Sequence, residues 1–271
     1  MKVLIVLCAL AISAAYAGNF NSLQKLLVPQ ERVIKGHDAE PHSAPYIISL
    51  TLNTTSAHNC GGTIINKEWI VTAAHCITVN PVGMGVVAGL HVRGELNEAT
   101  QQRVIDFGRV HESYGGSVGP YDIALLHVSK AFDFNEYVQP ATLPAREEIP
   151  EGNATLYGWG QLKAFNFASA KTLQTVNTQI IDWASCKELM GNNMADTNIC
   201  SDSFNAGISA CNGDSGGPLV IETENAPAEL VGVVSWGSIP CGVFNKPSVY
   251  TRVSAYVDWV AKIMHAYYVL H

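Results

Sequence analysis

Three features of the chain predict an all-β fold. Short apolar or alternating runs recur along its middle, Gly, Pro, Asn and Asp separate them, and only the last stretch carries a helical period. The runs cover residues 46–52, 63–65, 86–88, 104–110, 154–157, 173–181, 219–222 and 230–234. Their rhythm suits barrels or a sandwich. Near the end, Val253, Val257, Val260 and Ile263, with Trp259, recur at three- and four-residue steps, and Ser254 offers an N-cap. That predicts a packing helix over 255–271.

Taken in order, residues 1–17 combine Lys2, an apolar run from Val3 to Ala15 and the small-x-small site Ala15-Tyr16-Ala17. This pattern reads as a secretory signal peptide, too short to span a bilayer. Secretion places the rest in an oxidising compartment, where disulfides persist. Residues 18–32 form a polar piece ending in Glu31-Arg32, and residues 33–271 are long enough for one large unit or two small barrels. The net charge is −7. An acidic balance argues against nucleic acid or an anionic membrane as a partner, since both demand a basic face. Cys8 leaves with the leader, and the other six cysteines allow fifteen pairings. No C-x-x-C or H-E-x-x-H spacing occurs, so a metal site is set aside and no cofactor is required. Asn53-Thr54-Thr55 and Asn153-Ala154-Thr155 are N-glycosylation sequons.

The chemistry centres on Cys211-Asn212-Gly213-Asp214-Ser215-Gly216-Gly217-Pro218. Its glycines let the backbone turn tightly and bring amide N–H groups close to a substrate. Acyl transfer needs such donors beside a nucleophilic hydroxyl, because charge builds on the carbonyl oxygen. Gly-Asp-Ser-Gly alone is also ordinary turn composition. Two further stretches weigh against the bland reading. Thr72-Ala73-Ala74-His75-Cys76 follows an apolar run and supplies a base, and Tyr121-Asp122-Ile123 places an acid at the head of another. A Ser hydroxyl is a weak nucleophile until a base takes its proton, and the base needs an acid to fix its tautomer. The order His, Asp, Ser also excludes an α/β-hydrolase elbow, which runs Ser, acid, His and opens a helix; here only His265 and His271 follow Ser215, and residues 218–221 read as a strand.

With Cys60-Gly61-Gly62-Thr63, Gly158-Trp159-Gly160 and Ser235-Trp236-Gly237, these stretches make the chain from Val33 onward resemble a chymotrypsin-family (trypsin-like) secreted serine endopeptidase, of the kind found among insect digestive proteases. The resemblance implies two six-stranded antiparallel β-barrels, at about 33–142 and 143–254, joined near residues 140–150, with the active site in the cleft and a C-terminal helix. It implies a Ser215–His75–Asp122 mechanism with the amides of Gly213 and Ser215 as the oxyanion hole. It selects the disulfides Cys60–Cys76, Cys186–Cys200 and Cys211–Cys241. It also implies a zymogen: a trypsin-like protease would cut after Arg32, and the new ammonium of Val33 would pair with Asp214. Lys35 departs from the Gly usual there. His58 resembles the residue that holds the same Asp in some zymogens.

The same resemblance puts Ser209 at the floor of the specificity pocket and Ser235, Trp236, Gly237 and Ser248 around the substrate. Without a carboxylate at Ser209, a Lys or Arg side chain would be desolvated unpaired, so cleavage after large apolar residues is expected. Gly237 leaves one wall open, and Ser248, where Gly is usual, narrows the slot. The expected partners are peptide or protein substrates, the activating protease and protein inhibitors; the chain is expected to be a monomer secreted into the gut lumen. The rival reading is a protease-fold binding protein with lectin-like affinity for carbohydrate, to which a surface aromatic such as Trp183 could contribute.

Overall fold

The structure is a computed structural model that describes residues 36–54, 57–163, 166–202 and 209–270. The predicted signal peptide, the 18–32 segment, Val33 and Lys35 lie outside the described residues.

A first barrel uses β2 (Ile47–Thr51), β3 (His58–Ile64), β4 (Trp69–Thr72), β5 (Gly85–Ala88), β6 (Gln101–Val110) and β7 (Ala124–Val128), closed in the order β2-β3-β4-β7-β6-β5. Closure leaves no edge strand unpaired. The alternation anticipated for 104–110 holds across β6, where Arg103 and Ile105 turn inward while Gln102, Val104 and Asp106 face out. The second barrel uses β8 (Gly152–Gly158), β11 (Gln174–Ile181), β12 (Asn198–Ser201), β13 (Pro218–Ile221), β14 (Glu229–Trp236) and β15 (Ser248–Arg252). Pairing of β8 with both β13 and β11 closes this ring. A short ribbon of β9 (Gln161–Lys163) and β10 (Asn166–Ser169) stands apart. A two-residue strand, β1 (His37–Asp38), adds to β11 outside the ring. All three disulfides form: Cys60–Cys76, Cys186–Cys200 and Cys211–Cys241.

The barrel interiors are apolar, with Ile64, Ile70, Ile105 and Leu126 in the first and Leu156, Leu219, Val231 and Tyr250 in the second. Deleting one such side chain to Ala costs about 2–5 kcal/mol. The C-terminal helix, α2 (Val257–Leu270), buries Val260 and Ile263 against the first barrel's cluster. Its Tyr268 hydroxyl accepts from Trp69 Nε1 at 3.1 Å and donates to Glu68 Oε2 at 2.6 Å.

Two local expectations differ from the structure. Ser254 does not cap α2; a 3₁₀ turn over Val253–Tyr256 precedes the helix, and the Ser254 hydroxyl accepts from buried Arg252 and donates to the Glu148 carbonyl. A buried guanidinium needs acceptors more than the helix start needs a cap. The described residues also hold a helix, α1 (Trp183–Met190), beyond the one that the apolar period predicts. Asp182 caps it by accepting from the Ser185 amide at 2.9 Å, and Gly191, at φ +79°, ends it. The helix is short and buries only Cys186, so no apolar stripe announces it.

Candidate active site

The ends of strands from both barrels converge on one cleft. His75 sits in the 3₁₀ turn Ala74–Cys76 just after β4, and Asp122 lies just ahead of β7. Since β4 and β7 are neighbours, with Thr72 opposite Ala124, the two side chains meet. Asp122 Oδ1 accepts from the His75 amide at 2.9 Å, and Oδ2 lies 2.8 Å from His75 Nδ1. The Asp122 side chain is 4% exposed and that of His75 30%. A buried carboxylate is costly unless paired. Here Ser235 Oγ also donates to Oδ2 at 2.5 Å, and Thr251 Oγ1 donates to the Asp122 carbonyl at 2.7 Å. An ionised carboxylate only accepts, so Nδ1 carries a proton and Nε2 is left as the basic nitrogen. Nothing in the sequence marked Thr251, which arrives from β15, 129 residues away.

The loop before β13 packs against Gly61, Thr72 and Cys76, the last next in sequence to His75. The Gly61 amide donates to Ser215 O at 2.8 Å, and a Cβ on Gly216, at φ +75°, would strike Thr72 Oγ1 and lie 2.7 Å from Gly61 O and 3.1 Å from Cys76 Sγ. Only glycine allows so close an approach in that conformation. Two peptide carbonyls of the loop are tied back: Asn212 O accepts from the Gln161 amide at 2.9 Å, and Asp214 O from the Gly217 amide at 2.9 Å. In a trans peptide the N–H points opposite its C=O. The amides of Gly213 and Ser215 thus point away from those tied carbonyls, and neither donates to an acceptor among the described residues, whereas those of Asp214, Gly216 and Gly217 all do.

Asp214 itself points away from the cleft into full burial. Its oxygens accept from the Gly160 amide at 2.8 Å and the Cys211 amide at 2.9 Å. Gly158 and Gly160 make room for it, because a Cβ on either would overlap the carboxylate. Desolvation outweighs the two amides and pushes the Asp214 pKa up to about 6. His58 does not hold Asp214. Its Nε2 lies 2.9 Å from Gly213 O and its Nδ1 2.8 Å from Ser49 Oγ, with its ring edge-on to Trp159. A carbonyl can only accept, so Nε2 donates and Ser49 supplies the proton to Nδ1. Burial, with Arg93 as a lesser contribution of the same sign, lowers the His58 pKa to about 4. His58 is thus a tether of the Gly213 carbonyl, a role that no sequence spacing disclosed.

Ser209 and Ser248 are both buried. Their hydroxyls lie 3.1 Å apart; Ser209 Oγ donates to Ala210 O at 2.7 Å, and Ser248 Oγ accepts from the Ala210 amide at 2.9 Å. The Ser248 hydroxyl is therefore engaged with Ser209 and the Ala210 backbone. A Cβ on Gly237 would find nothing nearer than Ser248 Cα at 3.9 Å, so that position borders open space. Cys211–Cys241 ties the segment after Ser209 to the one after Gly237. Cys60, His75 and Cys76 lie at metal-ligand spacing, but the two sulfurs are spent on each other. Trp183 donates Nε1 to Ala195 O, and Lys187 Nζ sits 4.5 Å over its ring, so packing accounts for it. Asn53 and Asn153 are exposed.

A two-barrel fold with a His paired to a buried Asp, and a glycine-lined Ser loop packed next to it, defines a trypsin-like serine protease. Residues 33–260 match the Trypsin family model, and the chain belongs to that family. Lectizyme of Glossina austeni is 38% identical over 270 residues, covering 96% of each chain. Chymotrypsin-C of Bos taurus is 38% identical over 237 residues, 84% of this chain and 87% of that one. Coagulation factor IX of Cavia porcellus is 37% identical over 238 residues, 84% of this chain and 80% of its own. No helix among the described residues is long and apolar enough to cross a membrane.

Proposed function

We propose that the chain is a secreted endopeptidase, made as a zymogen, that cleaves peptide bonds after large apolar residues. The reading rests on the Asp122–His75 pair, next to which the Ser215 loop packs through Gly61 and Cys76, and on the amides of Gly213 and Ser215, which meet no acceptor among the described residues. In this mechanism His75 Nε2 takes the proton of Ser215 Oγ as the oxygen attacks the substrate carbonyl. Charge moves onto the carbonyl oxygen, where the Gly213 and Ser215 amides receive it. His75 then gives the proton to the leaving amine, the acyl-enzyme forms, and water repeats the sequence. Asp122 fixes the tautomer and stabilises the imidazolium. Ser235-Trp236-Gly237, at the end of β14, pairs with the substrate backbone as an added strand.

The pocket reading rests on Ser209, whose neutral hydroxyl leaves a cationic side chain without a partner, and on the open space at Gly237. The zymogen reading rests on Asp214. An ammonium at Val33, freed by cleavage after Arg32, would neutralise a carboxylate that two amides do not fully stabilise. Peptide or protein substrates, a trypsin-like activator and protein inhibitors are the partners this reading implies, the leader at 1–17 directs the chain to an extracellular space such as the gut lumen, and the sequons at Asn53 and Asn153 are glycan sites.

Hydrolysis of peptide anilides carrying Phe, Leu, Ala or Arg before the cut, measured before and after limited trypsin treatment, tests the proposal. Turnover of Phe or Leu only after cleavage, and its loss in Ser215→Ala, is expected. Cleavage after Arg overturns the pocket reading, and silence on every substrate with Val33 confirmed as the new N-terminus overturns the enzyme reading.

A further inference from the structure

On the far side of the Gly213 loop, behind His58, lies a cavity of about 580 Å³ on the outer face of the first barrel. This size falls within the range that receives small molecules. Val87, Leu90 and Leu96 give it an apolar wall. Its charged lining residues are Arg93, Arg103 and Lys171, with no Asp or Glu among them, in a chain that holds 23 acidic residues against 16 basic ones.

The three cations differ. Arg103 is spent: its guanidinium donates to Ala131 O, Gln101 Oε1 and Gln102 O and pairs with Asp133. Arg93 is held in place but not neutralised. Nε donates to Ala170 O at 2.7 Å and Nη2 to Ser169 O at 3.2 Å, so main-chain carbonyls fix the plane of the guanidinium while Nη1 keeps its donors. Burial pushes its pKa down, with no carboxylate near enough to offset the effect. Lys171 is exposed, and its ammonium meets no acceptor among the described residues. A fixed guanidinium and a free ammonium beside an apolar wall are complementary to a carboxylate or sulfonate carried on a hydrocarbon body.

The cavity also touches the tether. His58 and Ser49 both line it, and His58 Nε2 holds Gly213 O. We propose that this cavity binds a small organic anion with an apolar body, and that occupancy changes turnover because His58 links its wall to the Gly213 loop. The second half rests on the functional reading above; the first does not.

Titration calorimetry of the trypsin-treated protein with octanoate, octanol and sodium sulfate separates charge from body. Octanoate is expected to bind at least tenfold more tightly than either control. Lys171→Glu and Leu96→Glu, both at exposed positions and each placing a carboxylate in the lining, are expected to weaken octanoate at least tenfold. With a saturating anilide substrate, octanoate shifts kcat by at least twofold, and Lys171→Glu removes the shift. Equal binding of octanol, or affinity unchanged in both variants, overturns the site. Binding without any change in kcat overturns the link through His58. A protein that turns over no anilide fails the functional reading instead, and the calorimetry still decides whether the anion binds.

Discussion

His58 and Asp214 titrate in opposite directions across the same pH window, and stability in the uncleaved chain should record both. His58 has its folded pKa lowered from 6.5 to about 4. Its contribution is fully present above pH 6.5 and is lost as pH falls through 4, because the unfolded chain binds the proton first. At about 1.4 kcal/mol per pKa unit this amounts to about 3 kcal/mol. Asp214 has its folded pKa raised from 3.8 to about 6. Its contribution is fully present below pH 3.8 and is lost as pH rises through 6, again about 3 kcal/mol. In the parent protein the two slopes nearly cancel. Asp214→Asn should expose the His58 slope, so that stability rises by about 3 kcal/mol between pH 4 and 6.5 relative to the parent. His58→Gln should expose the Asp214 slope and fall by a similar amount. Each substitution also disturbs two hydrogen bonds, but that cost is constant with pH, and the difference in slope carries the information. Urea unfolding at four pH values, in the Ser215→Ala background to prevent self-digestion, reads it out. Curves for both variants that run parallel to the parent would refute the reasoning.

Further outcomes follow from the same geometry. Cleavage after Arg32 should remove the Asp214 penalty, so the stability of the cleaved form relative to the uncleaved one rises between pH 4 and 7; an unchanged difference would separate Val33 from Asp214. Asp122→Asn should lower kcat by about 10⁴-fold, the loss that the same change causes in the family's archetype, with KM changed little. Gly237→Val meets no atom closer than 3.9 Å from its Cβ, so it should leave the melting temperature nearly unchanged. It should nevertheless cut kcat/KM on Phe substrates by about tenfold or more while sparing Ala substrates, since each methylene-sized change is worth about 1–3 kcal/mol.

The fold class was legible because its signals lie in short stretches whose residue types have few other uses together. His75 and Asp122 each adjoin an apolar run, and the pairing of β4 with β7 brings those two strand ends together. What stayed hidden depends on contacts between distant segments. Thr251 reaches Asp122, and His58 reaches the Gly213 carbonyl across 155 residues of sequence. Neither residue type at either spacing signals its role. Ser254 misleads for the related reason that a buried guanidinium two residues earlier competes for its hydroxyl. The cavity behind His58 had no signature either, because Arg93 and Lys171 lie far apart in the chain.

Each barrel keeps a terminal piece of the chain that belongs by sequence to the other end. Strand β1, ahead of the first barrel, is hydrogen-bonded into the second, while α2, beyond the second, buries its apolar side on the first and reaches Glu68 and Trp69. The halves are laced like two hands with crossed thumbs. A single nick in the connection at residues 129–151 would break the covalent link without freeing either half, since each still grips a piece of the other. The nicked protein should run on gel filtration as one particle and lose its fold in one transition. That arrangement makes the covalent connection between the barrels an expendable one.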